Sequence, residues 1–250
     1  MGNLLASIAR RFLLAISKIL FVVLLDVKIS GEENIPQSDE PLILVANHFS
    51  WFDVPLLTAL LPLKPVFMVA TESRRMLSVR IFMRLFNGIP IWRGQVDRNA
   101  FVEAKHVLQH GGVLGVFPEG GIDPEKSSQA SRGTVILDSR YTWVSRVSGQ
   151  LTRPRPGTAF LAVDTDARLL PVGLLGTEKI ADEVFNWRRL LMRRSRIAVE
   201  IKIGPAFGPL TIDPALRGQE RRNHINHLAD TIMRKIAELF PPEKRGPYRV

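Results

Sequence analysis

The chain has 250 residues, 46% of them hydrophobic, with a net charge of +10 and no cysteine. That length suits one domain with a substantial core, and the charge calls for an anionic partner: a nucleic acid, an anionic membrane surface or a phosphorylated substrate. No zinc-ligand spacing or aromatic RNA-recognition signature accompanies the charge, which sets nucleic acid aside, and the lack of cysteine excludes disulfides, thiolate metal sites and a cysteine nucleophile while remaining compatible with a reducing cytosol.

Residues 8–25 are apolar apart from Arg10, Arg11, Ser17 and Lys18. The uninterrupted pieces, 12–16 and 19–25, fall short of the roughly twenty apolar residues that span a bilayer. The expectation is a helix lying in the membrane interface, its basic residues toward anionic headgroups. A span that tolerates Lys18 and an ordinary buried N-terminal helix are the alternatives. A signal peptide is disfavoured because no small-residue cleavage site follows, and residues 26–29 read as a strand.

After a polar loop at 32–39, the apolar run 41–46 leads into Asn47-His48-Phe49-Ser50-Trp51-Phe52-Asp53. This pattern predicts a buried strand, a turn and then a helix, the kind of junction where α/β proteins place chemistry. A carboxylate bonded to one ring nitrogen of a His fixes its tautomer, and the other nitrogen can then take a proton from an alcohol. On one regular helix His48 and Asp53 would sit about 140° apart. They can meet only if His48 lies in the turn and Asp53 begins the helix, which Pro55 in the first turn supports. The plainer alternatives are that Asp53 completes a Ser50–Asp53 capping box and that His48 is structural.

A short helix at 54–61 is stopped by Pro62 and Pro65, and 66–70 reads as a second buried strand. Residues 73–86 form a basic amphipathic helix closed by Asn87-Gly88. Residues 89–92 then read as a strand that places Arg93 at its end. A surface helix at 97–110 carries His106 and His110 at metal-ligand spacing, but no third ligand is spaced with them. Residues 113–117 form another apolar strand, ending in Pro118-Glu119-Gly120-Gly121. Gly111–Gly115 lacks the Lys-Ser/Thr of a phosphate loop, so no nucleotide site is expected. Residues 122–156 are a polar, basic stretch with a hairpin pattern pairing 134–137 with 141–147; a connection this long is usually functional or partly disordered. A strand at 169–175, an interleaved basic and apolar segment at 178–196, a strongly alternating strand at 197–204 and a closing helix at 221–240 complete the chain.

Four blocks stand in order: Asn47-His48-x4-Asp53, Gly88-Ile89-Pro90-Ile91-Trp92-Arg93, Phe117-Pro118-Glu119-Gly120 and Leu169-Leu170-Pro171-Val172-Gly173. In this order and spacing the chain resembles the glycerolipid acyltransferase family, the 1-acylglycerol-3-phosphate acyltransferases and relatives. The resemblance implies O-acyl transfer from acyl-CoA or acyl carrier protein to a lysophospholipid hydroxyl, with no cofactor and no metal. It implies His48 as general base, Asp53 as its orienting partner, Arg93 as phosphate ligand, and Glu119 and Gly120 as the residues that shape the acceptor pocket. It implies membrane phospholipids as partners and a place on the cytoplasmic face of a membrane.

One departure stands out. The family's third motif usually runs Pro-Glu-Gly-Thr-Arg, and that Arg helps to bind acceptor phosphate. Here the sequence is Pro118-Glu119-Gly120-Gly121-Ile122, with no Arg. Either Arg132 or another arginine of the inserted loop replaces it, or the acceptor lacks a phosphomonoester, as a lyso-ornithine lipid does. Hydrolysis of the acyl thioester by the same pair, and a non-catalytic membrane-binding role, are the other classes.

Alternating strands and helices predict an α/β fold: a mixed, mostly parallel sheet covered by helices. The expected organisation is an N-terminal membrane-associated helical segment at 1–30 and an acyltransferase domain at 31–250, with a basic insertion at about 122–156.

Overall fold

The computed structural model describes residues 2–37, 40–71, 77–92, 97–121, 148–180 and 196–249. Seven strands form one sheet: β1 (Leu25–Ser30), β2 (Leu42–Ala46), β3 (Val66–Ala70), β4 (Ile89–Ile91), β5 (Val113–Val116), β6 (Arg168–Leu175) and β7 (Ile197–Ile203), in the spatial order β1-β7-β6-β2-β5-β3-β4. All neighbours are parallel except β6 and β7. The fold is therefore α/β with a mixed, mostly parallel sheet.

β2 shows why both faces must be covered. All five of its residues are buried, and successive side chains of a strand point to opposite faces. Ile43 and Val45 enter one core with α4 (Arg98–Gln109), α5 (Gly157–Thr165) and α6 (Gly218–Ala237). Leu42, Leu44 and Ala46 enter the other core with α1 (Gly2–Leu24) and α2 (Asp53–Leu60). α3 (Leu77–Phe86) lies against α1, with Arg10 over the Phe86 ring at 5.7 Å.

β1 pairs in parallel with β7 over its full length. Residues 25–30, grouped by sequence with the N-terminal segment, thus belong to the sheet, and only α1 is appended to it. Phe21 of α1 is buried, while Ile8, Phe12, Ile16, Ile19, Val22 and Val23 are exposed. No helix among the described residues is long and apolar enough to cross a membrane. The predicted hairpin at 134–147, together with Arg132 and most of the 178–196 segment, lies outside the described residues.

Candidate active site

β2 ends at Ala46, and the buried Asn47 locks that end to β6. Its Nδ2 donates to the Leu174 carbonyl at 2.9 Å, and its Oδ1 accepts from the Leu174 N–H at 2.7 Å. The chain then turns, and α2 begins at Asp53. The Asp53 carboxylate points back into that turn. Its Oδ2 accepts from the Phe49 N–H at 2.7 Å, the Ser50 N–H at 2.8 Å and His48 Nδ1 at 2.9 Å. Its Oδ1 is buried without a hydrogen-bond partner among the described residues.

A carboxylate can only accept, so this contact puts the proton of the neutral His48 ring on Nδ1 and leaves a lone pair on Nε2. Asp53 is fully buried, while the His48 side chain keeps 16% exposure. The ring can therefore be reached and its partner cannot. The ring stacks on Phe117 with centroids 4.0 Å apart, and Phe117 stacks on Phe67 at 5.5 Å.

Half of a capping box is present in the Ser50 N–H bond to Asp53. The reciprocal half is not: Ser50 Oγ accepts from the Phe52 N–H at 3.4 Å, and the Asp53 N–H goes to the Ser50 carbonyl. The carboxylate clamps the whole turn instead of only capping the helix.

Glu119 follows β5 and is fully buried. Its Oε2 accepts from the His48 backbone N–H at 3.0 Å; its Oε1 accepts from the Thr152 N–H at 2.7 Å and the Thr152 hydroxyl at 3.0 Å. One carboxylate thus joins the ends of β2 and β5 to the segment that returns after residue 147. Gly120 closes a turn onto the Phe117 carbonyl at φ +77°. A Cβ there would lie 2.5 Å from Arg155 Cδ and 2.7 Å from its Nε. The positive φ favours glycine at this position, and a side chain there would also displace the Arg155 side chain. The Arg155 N–H donates to the Pro118 carbonyl at 2.8 Å.

Arg93 lies outside the described residues. Its flanks are tied together by Asp97, which accepts from the Trp92 N–H at 2.9 Å and, as the N-cap of α4, from the Ala100 N–H at 3.1 Å. The bond from Trp92, then that from Ala100, holds the Asp97 carboxyl below its ordinary range. His106 and His110 stack at 4.0 Å, and His110 Nδ1 contacts the His106 carbonyl at 2.8 Å. No cluster of three metal-ligating side chains occurs among the described residues.

The structure brings His48, Asp53, Glu119 and Gly120 to adjoining strand ends. It adds Thr152 and Arg155, which motif reading did not single out, and stacks Phe117 of the third block on the His48 ring. Phe117 was legible as the residue before Pro118. Thr152 and Arg155 carried no local signal beyond the basic character of their stretch.

A family model described as Acyltransferase matches residues 26–175. Among solved structures, the crystal structure of the 1-acyl-sn-glycerophosphate (LPA) acyltransferase PlsC from Thermotoga maritima is similar, with a TM-score of 0.58 and 24% sequence identity. The match covers 96% of this chain and 83% of that one. At that identity the likeness speaks to the fold.

Proposed function

The chain belongs to the acyltransferase family, which the matched model establishes, and from that premise we propose that it transfers a fatty acyl group from an acyl thioester to a hydroxyl of a lysophospholipid such as 1-acylglycerol-3-phosphate, giving phosphatidic acid. The donor is acyl-CoA or acyl-ACP (acyl carrier protein). The acceptor class is taken from the protein whose fold it shares.

The observation that carries this reading is the His48 Nδ1–Asp53 Oδ2 contact at 2.9 Å on a ring that remains partly exposed. His48 Nε2 takes the acceptor hydroxyl proton as the oxygen attacks the thioester carbonyl. The buried Asp53 charge stabilises the resulting imidazolium. The C–O bond forms, the C–S bond breaks, and the imidazolium returns its proton to the departing thiolate. No cysteine exists to form an acyl-enzyme, and the route as written uses no cofactor or metal.

Arg93 binds substrate phosphate through its planar donors. Glu119 and Gly120 shape the acceptor pocket, Glu119 by bonding His48 to Thr152 and Gly120 by leaving room beside it. The exposed apolar face of α1, with Leu77 and Ile81 of α3 also exposed, rests in the interface of a membrane at its cytoplasmic side, where the lipid acceptor is presented.

The test is transfer from an acyl thioester to a panel of lysolipids, wild type beside His48→Ala. Loss of about 10²–10⁴-fold is expected of a missing general base. Activity that survives the substitution would remove His48 from the reaction, and free fatty acid without an acylated acceptor would reassign the chemistry to hydrolysis.

A further inference from the structure

We propose that Arg155 is a further residue, besides Arg93, that grips the phosphate of a bound substrate in this site. The inference rests on the acyl-transfer reading and adds to it a residue and a ligand chemistry.

Three observations converge. First, Arg155 is placed by the site's own turn: its N–H donates to the Pro118 carbonyl at 2.8 Å, and its side chain crosses Gly120 so closely that no Cβ fits beneath it. Second, the guanidinium is only partly exposed, yet among the described residues it makes no ion pair and no hydrogen bond. Other partly buried cations are engaged: Lys244 with Glu178 at 2.9 Å, and Arg245 Nε with the Phe240 carbonyl at 2.9 Å. Third, the carboxylate nearest in sequence to Gly120 is already occupied, because Glu119 receives His48 and Thr152.

A guanidinium offers five N–H donors in a fixed plane and cannot shed its charge. One left without an acceptor beside a site that takes small molecules is matched to a planar pair of anionic oxygens, as a phosphate presents. The geometry of a lysophosphatidate-like acceptor fits this placement. Its reactive hydroxyl and its phosphate ester sit on adjacent carbons, so the phosphate must lie close to the base. Arg155 stands on the Phe117–Gly120 turn, whose first residue stacks on the His48 ring. The phosphates of a coenzyme A or phosphopantetheine donor carry the same chemistry but are separated from the thioester by the pantetheine arm.

The segment bearing Arg155 is held firmly enough to serve. Leu151 donates its N–H to the Lys244 carbonyl at 3.1 Å, and Thr152 is bonded to Glu119. The sequence Gly120-Gly121-Ile122 offers no arginine here; the chain supplies one from the far end of the insertion.

The test uses the full chain, with Arg155→Gln and Arg155→Lys beside wild type. Acceptors are 1-acylglycerol-3-phosphate and phosphate-free 1-monoacylglycerol; donors are acyl-CoA and the phosphate-free acyl-N-acetylcysteamine thioester. Arg155→Gln is expected to raise KM for a phosphate-bearing substrate by about 10–100-fold, leave kcat within about threefold and leave KM for its phosphate-free counterpart unchanged, with Arg155→Lys between. A rise confined to the acceptor pair places the phosphate on the acceptor; one confined to the donor pair places it on the donor. Unchanged KM for every substrate, or a fall in kcat alone, overturns the proposal. If wild type acylates no acceptor, the acyl-transfer reading fails by itself, and calorimetry with inorganic phosphate then decides for Arg155. Binding by wild type that Arg155→Gln abolishes supports it; equal or absent binding in both overturns it.

Discussion

Asp53→Asn separates the two tasks that the structure loads onto one carboxylate. Three N–H donors converge on Oδ2: His48 Nδ1 and the backbones of Phe49 and Ser50. A hydrogen bond to a charged acceptor contributes about 1.5–3 kcal/mol and a neutral one about 0.5–1.5, so neutralising the acceptor weakens each by about 1 kcal/mol. The amide nitrogen takes the Oδ1 position, which is buried without a partner among the described residues, and stranding it there costs at least about 1 kcal/mol more. The sum is about 4 kcal/mol, which for a protein of this size lowers Tm by about 8–16 °C. The substitution also removes the charge opposite the imidazolium. A loss of about 10³–10⁴-fold in kcat is expected. Thiol release from an acyl thioester in the presence of acceptor, followed beside thermal unfolding, reads both effects. Activity within tenfold of wild type would remove Asp53 from the catalytic pair. A Tm within 2 °C would show that the turn does not depend on its charge.

Three further substitutions probe the frame. Glu119→Gln keeps the shape but turns an NH₂ toward either the His48 N–H or the Thr152 N–H, both donors; a stability loss of about 2–4 kcal/mol and a lower kcat/KM are expected, and a variant matching wild type in denaturant midpoint and rate would contradict the clamp. Gly115→Ala places a Cβ 2.4 Å from the ring of Phe67, which stacks on Phe117 and through it on His48; overpacking of about 1–3 kcal/mol should appear in thermal unfolding together with reduced kcat, and an unchanged rate would show that the stack does not hold the base. Asp97→Ala should lose about 1 kcal/mol of cap stabilisation at neutral pH. Because the folded Asp97 carboxyl lies below its ordinary value of 3.8, its contribution is present above that value and fades as pH falls through the folded pKa. The Tm gap to wild type should therefore narrow as pH falls below 3.8, and a gap constant with pH would refute the assignment.

The inner strands were legible because they are nearly pure apolar runs and their turns carry glycine, proline or a cap, while β7 was legible by its alternation. Residues 42–46, 66–70 and 113–116 are of this kind, and each is a strand. The His48–Asp53 contact was legible because the 140° argument left one geometry open, and α2 does begin at Asp53. What local pattern could not give were bonds between distant residues. Asn47 meets Leu174 across 127 positions and Glu119 meets Thr152 across 33. Nothing in the sequence around Thr152 distinguishes it from any other threonine beside an arginine, and only the sheet order brings it to the end of β5. The closing helix illustrates a smaller limit: its apolar periodicity marks the buried face well, while its start at Gly218 precedes the predicted 221 because the first turn is polar and exposed.

The same distant bonds explain how the site accommodates the long basic stretch that follows Gly121. Loop-closure entropy grows only slowly with length, so the cost of extra residues is small provided both ends are fixed. Here both ends are. At one, Gly120 closes its turn onto Phe117, and Glu119 holds His48. At the other, Leu151 is bonded to the Lys244 carbonyl, Thr152 to Glu119 and Arg155 to the Pro118 carbonyl. Gly246 lies so close to the Leu151 carbonyl that a Cβ would approach it to 2.1 Å, and Lys244 is itself fixed by Glu178. The C-terminal turns therefore support the candidate site from behind: they hold the returning segment beside Glu119, and Glu119 fixes the backbone of His48. A change at Thr152 or Gly246 would disturb Glu119 and, through it, the backbone of His48.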